Sequence, residues 1–256
     1  LLGVDVRLLT AFGDDMNAQR IAASCGELGI DISQCLTVPG AATSTYLFIA
    51  DEQGDMALAV SDMEIYDHVT PAFLAGRARL LQNAQVIVVD TNIPPESIAW
   101  LAENVKLPIF ADPVSTAKAE KLRPVLGRLH TLKPNRLEAE LLSGVSITDQ
   151  KSLDRAVDVL LDTGLRRVFV SLGGDGVYAA DHQQRLHLPC CPGRMVNTTG
   201  CGDAAMAAIT WAYLEGTGLE GTARAAMAAG AIAMERGETI NPDMSARSLK
   251  ARAEQL

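Results

Sequence analysis

The hydrophobic pattern divides the chain into short apolar runs and longer segments with helical spacing. From residue 86 onward the apolar runs have the length and composition of buried strands. They occupy residues 86–90 (VIVVD), 108–112 (PIFAD), 129–133 (LHTLK) and 168–172 (VFVSL), and a further strand is predicted at 177–180. Segments with helical spacing lie between them, near residues 94–103, 135–142 and 153–161. This alternation predicts parallel strands joined by helices that cover both faces of the sheet.

The segment at residues 32–61 has a different pattern. Two β-branched stretches, ISQCLTV and TSTYLFIA, are followed by the turn signal DEQGD at 51–55 and then by MALAV. We therefore predict a small antiparallel flap, which follows a helix near residues 17–28. A flap of this size cannot bury a core of its own, so it should pack on a ligand or on another subunit. The second possibility predicts a homodimer formed through the flap.

The C-terminal third, residues 203–236, is rich in alanine and has a glycine-containing break at 215–221. This composition predicts two long helices that pack closely. No linker, repeat or low-complexity tract divides the 256 residues. We therefore predict a single α/β domain over residues 1–256, with a mostly parallel central sheet and a small β lid inserted at about 32–61.

Composition and charge exclude several classes of protein. Hydrophobic residues make up 48% of the chain, which excludes disorder as its main state. The 22 Lys and Arg are outnumbered by 31 Asp and Glu, so the net charge of −9 argues against nucleic-acid or anionic-membrane partners. The longest apolar runs are too short to span a bilayer. Five cysteines, an odd number without CxxC spacing, predict a reducing compartment and a cytoplasmic location.

The most informative motif is NTTGCGD at residues 197–203, directly before the alanine-rich helix. Gly200 and Gly202 flank Cys201 and permit a sharp turn, so backbone N–H groups at the helix start can form an anion hole. Asp203 then stands beside a bound phosphoryl group, where it can act as a base. The alternative is that Asp203 only caps the helix, and the spacing alone does not separate the two interpretations.

Two further motifs follow predicted strands. Glycines after a strand allow a phosphate chain to approach closely, and the segment SLGGDG at 171–176 has this placement, although it is a weak signal by itself. In KPNRLE, at 133–138, Asn135 can cap a helix with Glu138 at the third helical position. The same two side chains carry oxygens that suit hydrated Mg²⁺, and the capping and metal interpretations are compatible.

The three motifs, in this order and at these strand ends, resemble those of the ribokinase/PfkB family of carbohydrate and nucleoside kinases. The resemblance extends over the whole chain. The family signature reads like DTTGAGD, which is matched here by NTTGCGD. The resemblance implies a three-layer α/β/α ribokinase-like fold, ATP and Mg²⁺ as cofactors, and a nucleoside or sugar as the small-molecule substrate. It also implies that Asp203 takes the proton from the acceptor hydroxyl, while Gly200, Cys201 and Gly202 hold the phosphoryl group.

The resemblance assigns binding roles to the other motif residues. The Mg-ATP environment is assigned to Asn135, Glu138, Ser171, Gly173, Gly174, Gly176 and Thr199. Asn135 and Glu138 would bind Mg²⁺ through water, and Asn197 and Thr199 lie near the monovalent cation (K⁺) site of related kinases. The substrate side of the site is assigned to Thr43, Ser44 and Asp112.

Within the family, residues 13–15 (GDD), 43–45 (TST) and 61–66 (SDMEIY) are most similar to the kinases that phosphorylate the 5′-hydroxyl of the C-nucleoside pseudouridine. The alternatives are a kinase for fructose, ribose or an ordinary nucleoside, and a non-catalytic nucleoside-binding protein. Two departures from the family pattern affect the expected site. Asn197 stands where the signature usually has Asp, so K⁺ binding should be weaker. Family members also have an upstream strand and a GG-x-x-x-N segment for the sugar hydroxyls, and we expect much of that substrate site to be absent from this sequence.

Overall fold

The computed structural model describes residues 1–50 and 56–256, and these group into two compact units. The hairpin unit comprises Asp5–Arg79 and Asn92–Ser97, and the sheet unit comprises Leu1–Val4, Leu80–Thr91 and Ile98–Leu256. The turn predicted at 51–55 lies outside the described residues. The single domain over residues 1–256 stays a prediction.

The described part of the hairpin unit contains a parallel and an antiparallel pair of strands. In chain order its elements are β1 (Ala11–Phe12), α1 (Met16–Glu27), β2 (Leu36–Thr37), β3 (Thr45–Ala50), β4 (Met56–Asp62), a 3-10 helix (Glu64–His68) and α2 (Pro71–Ala75). β1 pairs with β2 in parallel. β3 and β4 form the antiparallel hairpin, with Thr45 opposite Asp62.

Antiparallel pairing is thus confirmed for β3 and β4, but the prediction is wrong for the stretch that precedes them. The N–H of Leu36 donates to the carbonyl of Thr10 at 2.9 Å, and the N–H of Val38 donates to the carbonyl of Phe12 at 2.8 Å. This stretch of backbone therefore pairs with the start of the chain and does not belong to the hairpin. A β-branched pattern identifies a strand but does not reveal which neighbour the strand will pair with.

The rest of the chain follows the predicted alternation of strands and helices. Its elements are α3 (Ala78–Gln82), β5 (Ile87–Asp90), α4 (Pro95–Asn104), β6 (Ile109–Asp112), α5 (Thr116–Ala119), a 3-10 helix (Glu120–Arg128), β7 (Thr131–Leu132), α6 (Arg136–Ser143), α7 (Gln150–Asp162), β8 (Arg167–Ser171), a 3-10 turn (Gly173–Asp175), β9 (Val177–Asp181), β10 (Arg185–Leu188), α8 (Cys201–Leu214), α9 (Leu219–Met234) and α10 (Ala246–Ala253). The strand order is β10-β9-β8-β7-β6-β5. β5 to β8 are parallel, and β9 and β10 continue the sheet as antiparallel strands. The predicted α/β class with a mostly parallel sheet is confirmed, and β10 is an addition to the predicted strands.

The sheet is buried on both faces, as the apolar runs predict. Phe110 and Phe169 are fully buried in a cluster that includes Ile209 of α8 and side chains of α9. Val168 and Val170 flank Phe169 and point to the opposite face, and they are fully buried as well. The alanine-rich helices α8 and α9 pack on each other, because small side chains let the two backbones approach closely. None of the described helices is long and apolar enough to cross a membrane.

Candidate active site

The carboxyl ends of the parallel strands bring four polar residues to one edge of the sheet. Asp90 ends β5, Asp112 ends β6, Asn135 follows β7, and Ser171 ends β8. The register places Asp90 opposite Asp112, and a backbone bridge joins Asn135 to Ser171. Ligands of open α/β sheets bind outside this edge. The fold therefore collects three predicted site residues, Asp112, Asn135 and Ser171, on neighbouring strands.

The start of α8 has the sharp turn that the NTTGCGD motif predicts. Gly200 has a φ of +86°, and a Cβ at this position would lie only 2.6 Å from the carbonyl oxygen of Thr239. A glycine is therefore required here. The N–H of Cys201 donates to the carbonyl of Thr198 at 3.2 Å, which uses it inside the loop. The anion-binding donor best supported by this geometry is Gly202, because N–H groups in the first turn of a helix lack intrahelical partners.

Lys133 is a site residue that the sequence interpretation left without a role. Its Nζ lies 3.0 Å from the carboxylate oxygen Oδ2 of Asp112, and the two side chains are only 8% and 18% exposed. A Cβ built on Gly202 would lie 3.5 Å from the same Nζ, so the ammonium group stands beside the start of α8. The sequence feature that could have identified Lys133 as a site residue is its position directly after a predicted buried strand, at the edge of the sheet where ligands bind. Such a group can neutralise negative charge on a bound phosphoryl group.

Asp203 is the third residue of α8, whose N-cap residue is Gly200 and which has no side-chain cap, so the alternative that Asp203 caps the helix is wrong. Charges of both signs act on its carboxylate. Its side chain is exposed to solvent. Surrounding protein atoms nevertheless displace enough water to raise the pKa of Asp203, and the negative charge of Asp112 raises it further. The Lys133 ammonium lowers the pKa of Asp203, and Asp90 raises it. A carboxylate whose pKa is raised in this way holds a proton more strongly than ordinary Asp, which suits a general base.

Asn135 and Glu138 form the capping box that the sequence predicts at the start of α6. The Oδ1 atom of Asn135 accepts from the N–H of Glu138 at 2.9 Å, and the Oε2 atom of Glu138 accepts from the N–H of Asn135 at 2.8 Å. Glu138 is almost fully buried. Burial raises its pKa, the hydrogen bond from Asn135 and the charge of Lys133 lower it, and the charge of Asp112 raises it. The capping interpretation is therefore confirmed, and the metal interpretation stays a prediction.

The glycine-rich segment is a tight connection between β8 and β9. Gly176 has a φ of +92°, and a Cβ there would lie 2.0 Å from the carbonyl oxygen of Leu188. No heavy atom lies within 4 Å of the corresponding position on Gly173 or Gly174. The backbone at these two glycines is therefore open to a ligand, whereas Gly176 is required by close packing against the end of β10.

Asn197 and Thr199 lie in the loop before α8. The Nδ2 atom of Asn197 donates to the carbonyl of Gly237 at 2.9 Å, and its Oδ1 atom accepts from the N–H of Thr199 at 2.9 Å. Both polar atoms of the amide are therefore engaged in holding this loop.

Two predicted substrate residues belong to the hairpin unit, where they have structural partners. Thr43 is buried, and its hydroxyl accepts from the N–H of Gly13 at 3.1 Å and donates to Asp15 at 2.7 Å. The hydrogen bond from the N–H of Thr43, together with others, lowers the pKa of Asp15 to about 2. The hydroxyl of Ser44 lies 2.7 Å from that of Tyr66, which links two of the segments that carry the substrate prediction. Substrate contact by Thr43 and Ser44 stays a prediction.

Comparison with known proteins agrees with the motifs. Residues 1–247 match the model of the pfkB family of carbohydrate kinases. The chain is 38% identical over 248 residues to the pseudouridine kinase of Escherichia coli K12, covering 96% of this chain and 79% of that protein. It is 35% identical over 250 residues to YeiI, an uncharacterized sugar kinase of the same organism, covering 96% of this chain and 68% of that protein.

A solved structure shows the same fold. The carbohydrate kinase of Agrobacterium tumefaciens superposes with a TM-score of 0.83 at 25% identity, covering all of this chain and 82% of that one. The ribokinase of Thermotoga maritima superposes with a TM-score of 0.84 at 22% identity, covering 97% of this chain and 81% of that one, which confirms the predicted ribokinase-like α/β fold. The family match over nearly the whole chain, together with the motifs at one edge of the sheet, shows that this chain belongs to the pfkB family of carbohydrate kinases.

Proposed function

We propose that this kinase transfers the γ-phosphoryl group of ATP to the 5′-hydroxyl of a nucleoside, and that the nucleoside is pseudouridine. The observation that carries the phosphoryl-transfer part is the placement of Asp203 on the first turn of α8, beside the Gly202 backbone and the Lys133 ammonium. The pseudouridine part is supported by 38% identity to an enzyme with that activity. It also agrees with the similarity of residues 13–15, 43–45 and 61–66.

In the proposed reaction Asp203 accepts the proton of the acceptor hydroxyl. The hydroxyl oxygen forms a bond to the γ-phosphorus while the bond from that phosphorus to the β–γ bridging oxygen breaks, so that ADP leaves. The N–H of Gly202, the N-terminus of α8 and the Lys133 ammonium offset the charge that spreads over the transferred group. Ser171, Gly173 and Gly174 would lie along the nucleotide phosphates, where the open backbone of the glycines permits close approach.

The residues at the sheet edge fit a bound Mg²⁺. Asn135 and Glu138 carry oxygen ligands. Burial raises the pKa of Glu138, and the negative charge of Asp112 raises it further, a repulsion that a nearby dication would relieve. These two residues would hold the ion through water, and the ion would neutralise charge on the phosphates. We regard Mg-ATP as the phosphoryl donor on this basis.

The second candidate is a kinase with a sugar acceptor. It is favoured by the 35% identity to YeiI, a protein named as a sugar kinase. The two candidate functions are distinguished by testing pseudouridine, uridine, ribose and fructose as acceptors and measuring the rate of ADP release with each. Pseudouridine has a free ring N–H where uridine has its glycosidic bond, and a site that pairs with this group leaves a polar partner unsatisfied when uridine binds. We expect pseudouridine to be preferred over uridine in kcat/KM by about a hundredfold or more.

The role of Asp203 is tested by the change Asp203→Asn. Gly200 occupies the N-cap position of α8 and no side chain caps this helix, so Asp203→Asn removes the base without removing a cap. We expect kcat to fall by roughly two to four orders of magnitude while ATP binding is retained. Glu220→Gln is the matched control, because Glu220 is an exposed acidic residue in the first turn of α9. If Asp203→Asn keeps most of its kcat, Asp203 does not act as the base.

We also propose a homodimer formed through the β3–β4 hairpin. Leu47, Ile49 and Val60 are each more than 60% exposed, and Leu47 lies directly opposite Val60 in the hairpin. Exposed apolar side chains on neighbouring strands are typical of a surface that is covered by a partner. We also propose a reducing, cytoplasmic location, which is supported by the odd number of cysteines and by their lack of CxxC spacing.

A further inference from the structure

The loop before α8 is joined to the segment after α9 by several hydrogen bonds. The N–H of Val196 donates to the carbonyl of Met234 at 2.8 Å, and the N–H of Asn197 donates to the same carbonyl at 3.2 Å. Gly200 packs directly on the carbonyl of Thr239. The position of the Gly202 donor and of Asp203 therefore depends on how firmly these two segments are held together.

The Asn197 side chain makes the bond that crosses between the two segments at their exposed end. Its Nδ2 atom donates to the Gly237 carbonyl, and its Oδ1 atom accepts from the N–H of Thr199, both at 2.9 Å. These two contacts fix the orientation of the amide, because the reverse orientation would direct Oδ1 at a carbonyl and the NH₂ group at an N–H. An amide is thus the side chain that satisfies both neighbours at once.

A carboxylate at this position could not satisfy the Gly237 carbonyl. Asp would still accept from Thr199, but its second oxygen would face the carbonyl oxygen of Gly237 at hydrogen-bonding distance with no proton between them. Two oxygens in this arrangement attract a cation. The family resemblance implies a monovalent cation near this position when the signature begins with Asp, and the residues present here do not fit that ion.

We propose that the Asn197 amide takes the structural place of the monovalent cation, so that the activity of this kinase does not require K⁺ or Na⁺. The N–H donor lies where positive charge would otherwise join a carboxylate to a carbonyl. The loop that carries the anion-binding backbone is therefore held by neutral hydrogen bonds that are independent of the salt. This inference rests on the proposed function only where turnover is measured.

The first test compares turnover with and without added potassium chloride, with a large organic cation keeping the ionic strength constant. We expect the turnover of the unmodified enzyme to change by less than about twofold between the two conditions. The turnover of Asn197→Asp should fall by about tenfold or more without potassium, and most of it should return when potassium is added. Asn197→Ala is the control that removes the bond without creating a cation ligand, and potassium should not rescue it. Strong potassium dependence of the unmodified enzyme would overturn the proposal, and so would an Asn197→Asp variant that is fully active without potassium.

A second test needs no substrate and therefore stands if the proposed function fails. Thermal unfolding of the unmodified chain should be the same in potassium and in the organic cation. Asn197→Asp should melt at a lower temperature and should be stabilised specifically by potassium. A potassium-dependent rise in the melting temperature of the unmodified chain would overturn the inference, whereas absence of turnover on every acceptor would overturn only the proposed function.

Discussion

Replacing Lys133 by Met tests the role of the buried ammonium group at the site. The side chains of Lys133 and Asp112 are 8% and 18% exposed, and their charged atoms lie 3.0 Å apart. Removing one partner of a largely buried pair typically costs about 3–5 kcal/mol, because the other charge is left without compensation. Asp112 keeps a hydrogen bond from the N–H of Val114 at 3.0 Å and some contact with water. We therefore expect the free energy of unfolding to fall by about 3 kcal/mol, at the low end of that range.

The same change should reduce catalysis through two separate effects. Loss of one preorganised group that stabilises transition-state charge typically lowers kcat by about 10²–10³-fold, and we expect a loss of this size for Lys133→Met. Lys133 also lowers the pKa of Asp203, so its removal raises that pKa further. The base acts only when it is deprotonated, so kcat falls as the pH is lowered towards the pKa of Asp203. This fall should begin at a higher pH in the variant than in the unmodified enzyme.

Stability and catalysis are separated by a double variant. In Lys133→Met combined with Asp112→Asn neither charge remains, so most of the lost unfolding free energy should return, while kcat should stay low because the cation beside Gly202 is still missing. The assays are urea unfolding and kcat measured across a pH series. A Lys133→Met variant that keeps kcat within about threefold would contradict the proposed role of Lys133, and so would a double variant that regains activity together with stability.

Two further changes test other parts of the structure. Leu47→Glu on the hairpin should convert the proposed dimer to a monomer in light scattering, whereas Val159→Glu on the exposed face of α7 should leave the mass unchanged; a monomeric unmodified protein would contradict the proposal. Gly176→Ala should lower the free energy of unfolding by about 2–4 kcal/mol, because its Cβ would meet the Leu188 carbonyl and the backbone has a positive φ. Gly174→Ala should change stability by less than about 0.5 kcal/mol in the same urea experiment, because its Cβ enters open space. Equal losses in the two glycine variants would contradict this account.

Local patterns in the sequence are sufficient to predict the main elements of the sheet unit and the turn that carries its most informative motif. Apolar runs such as those at 86–90 and 168–172 are continuous because strands covered on both faces need apolar side chains in both directions, so their burial can be predicted locally. The turn before α8 could be predicted for a similar reason. Gly200 has a left-handed backbone and no room for a Cβ, and a requirement of this kind leaves a direct mark in the sequence.

Which residues pair with one another depends on the tertiary structure. The stretch around β2 has the pattern of a strand, but its parallel pairing with β1 depends on a segment more than 20 residues away. Asp112 ends β6 and Lys133 follows the neighbouring strand β7, and their ion pair exists because parallel strands end at the same edge of the sheet. From the sequence, Thr43 is a polar residue that could contact a ligand, but in the structure its buried hydroxyl is hydrogen-bonded to Gly13 and Asp15. Periodicity and local motifs indicate whether a residue is buried or lies in a turn. Contacts between residues far apart in the chain depend on packing, which cannot be predicted from a single sequence in the same way.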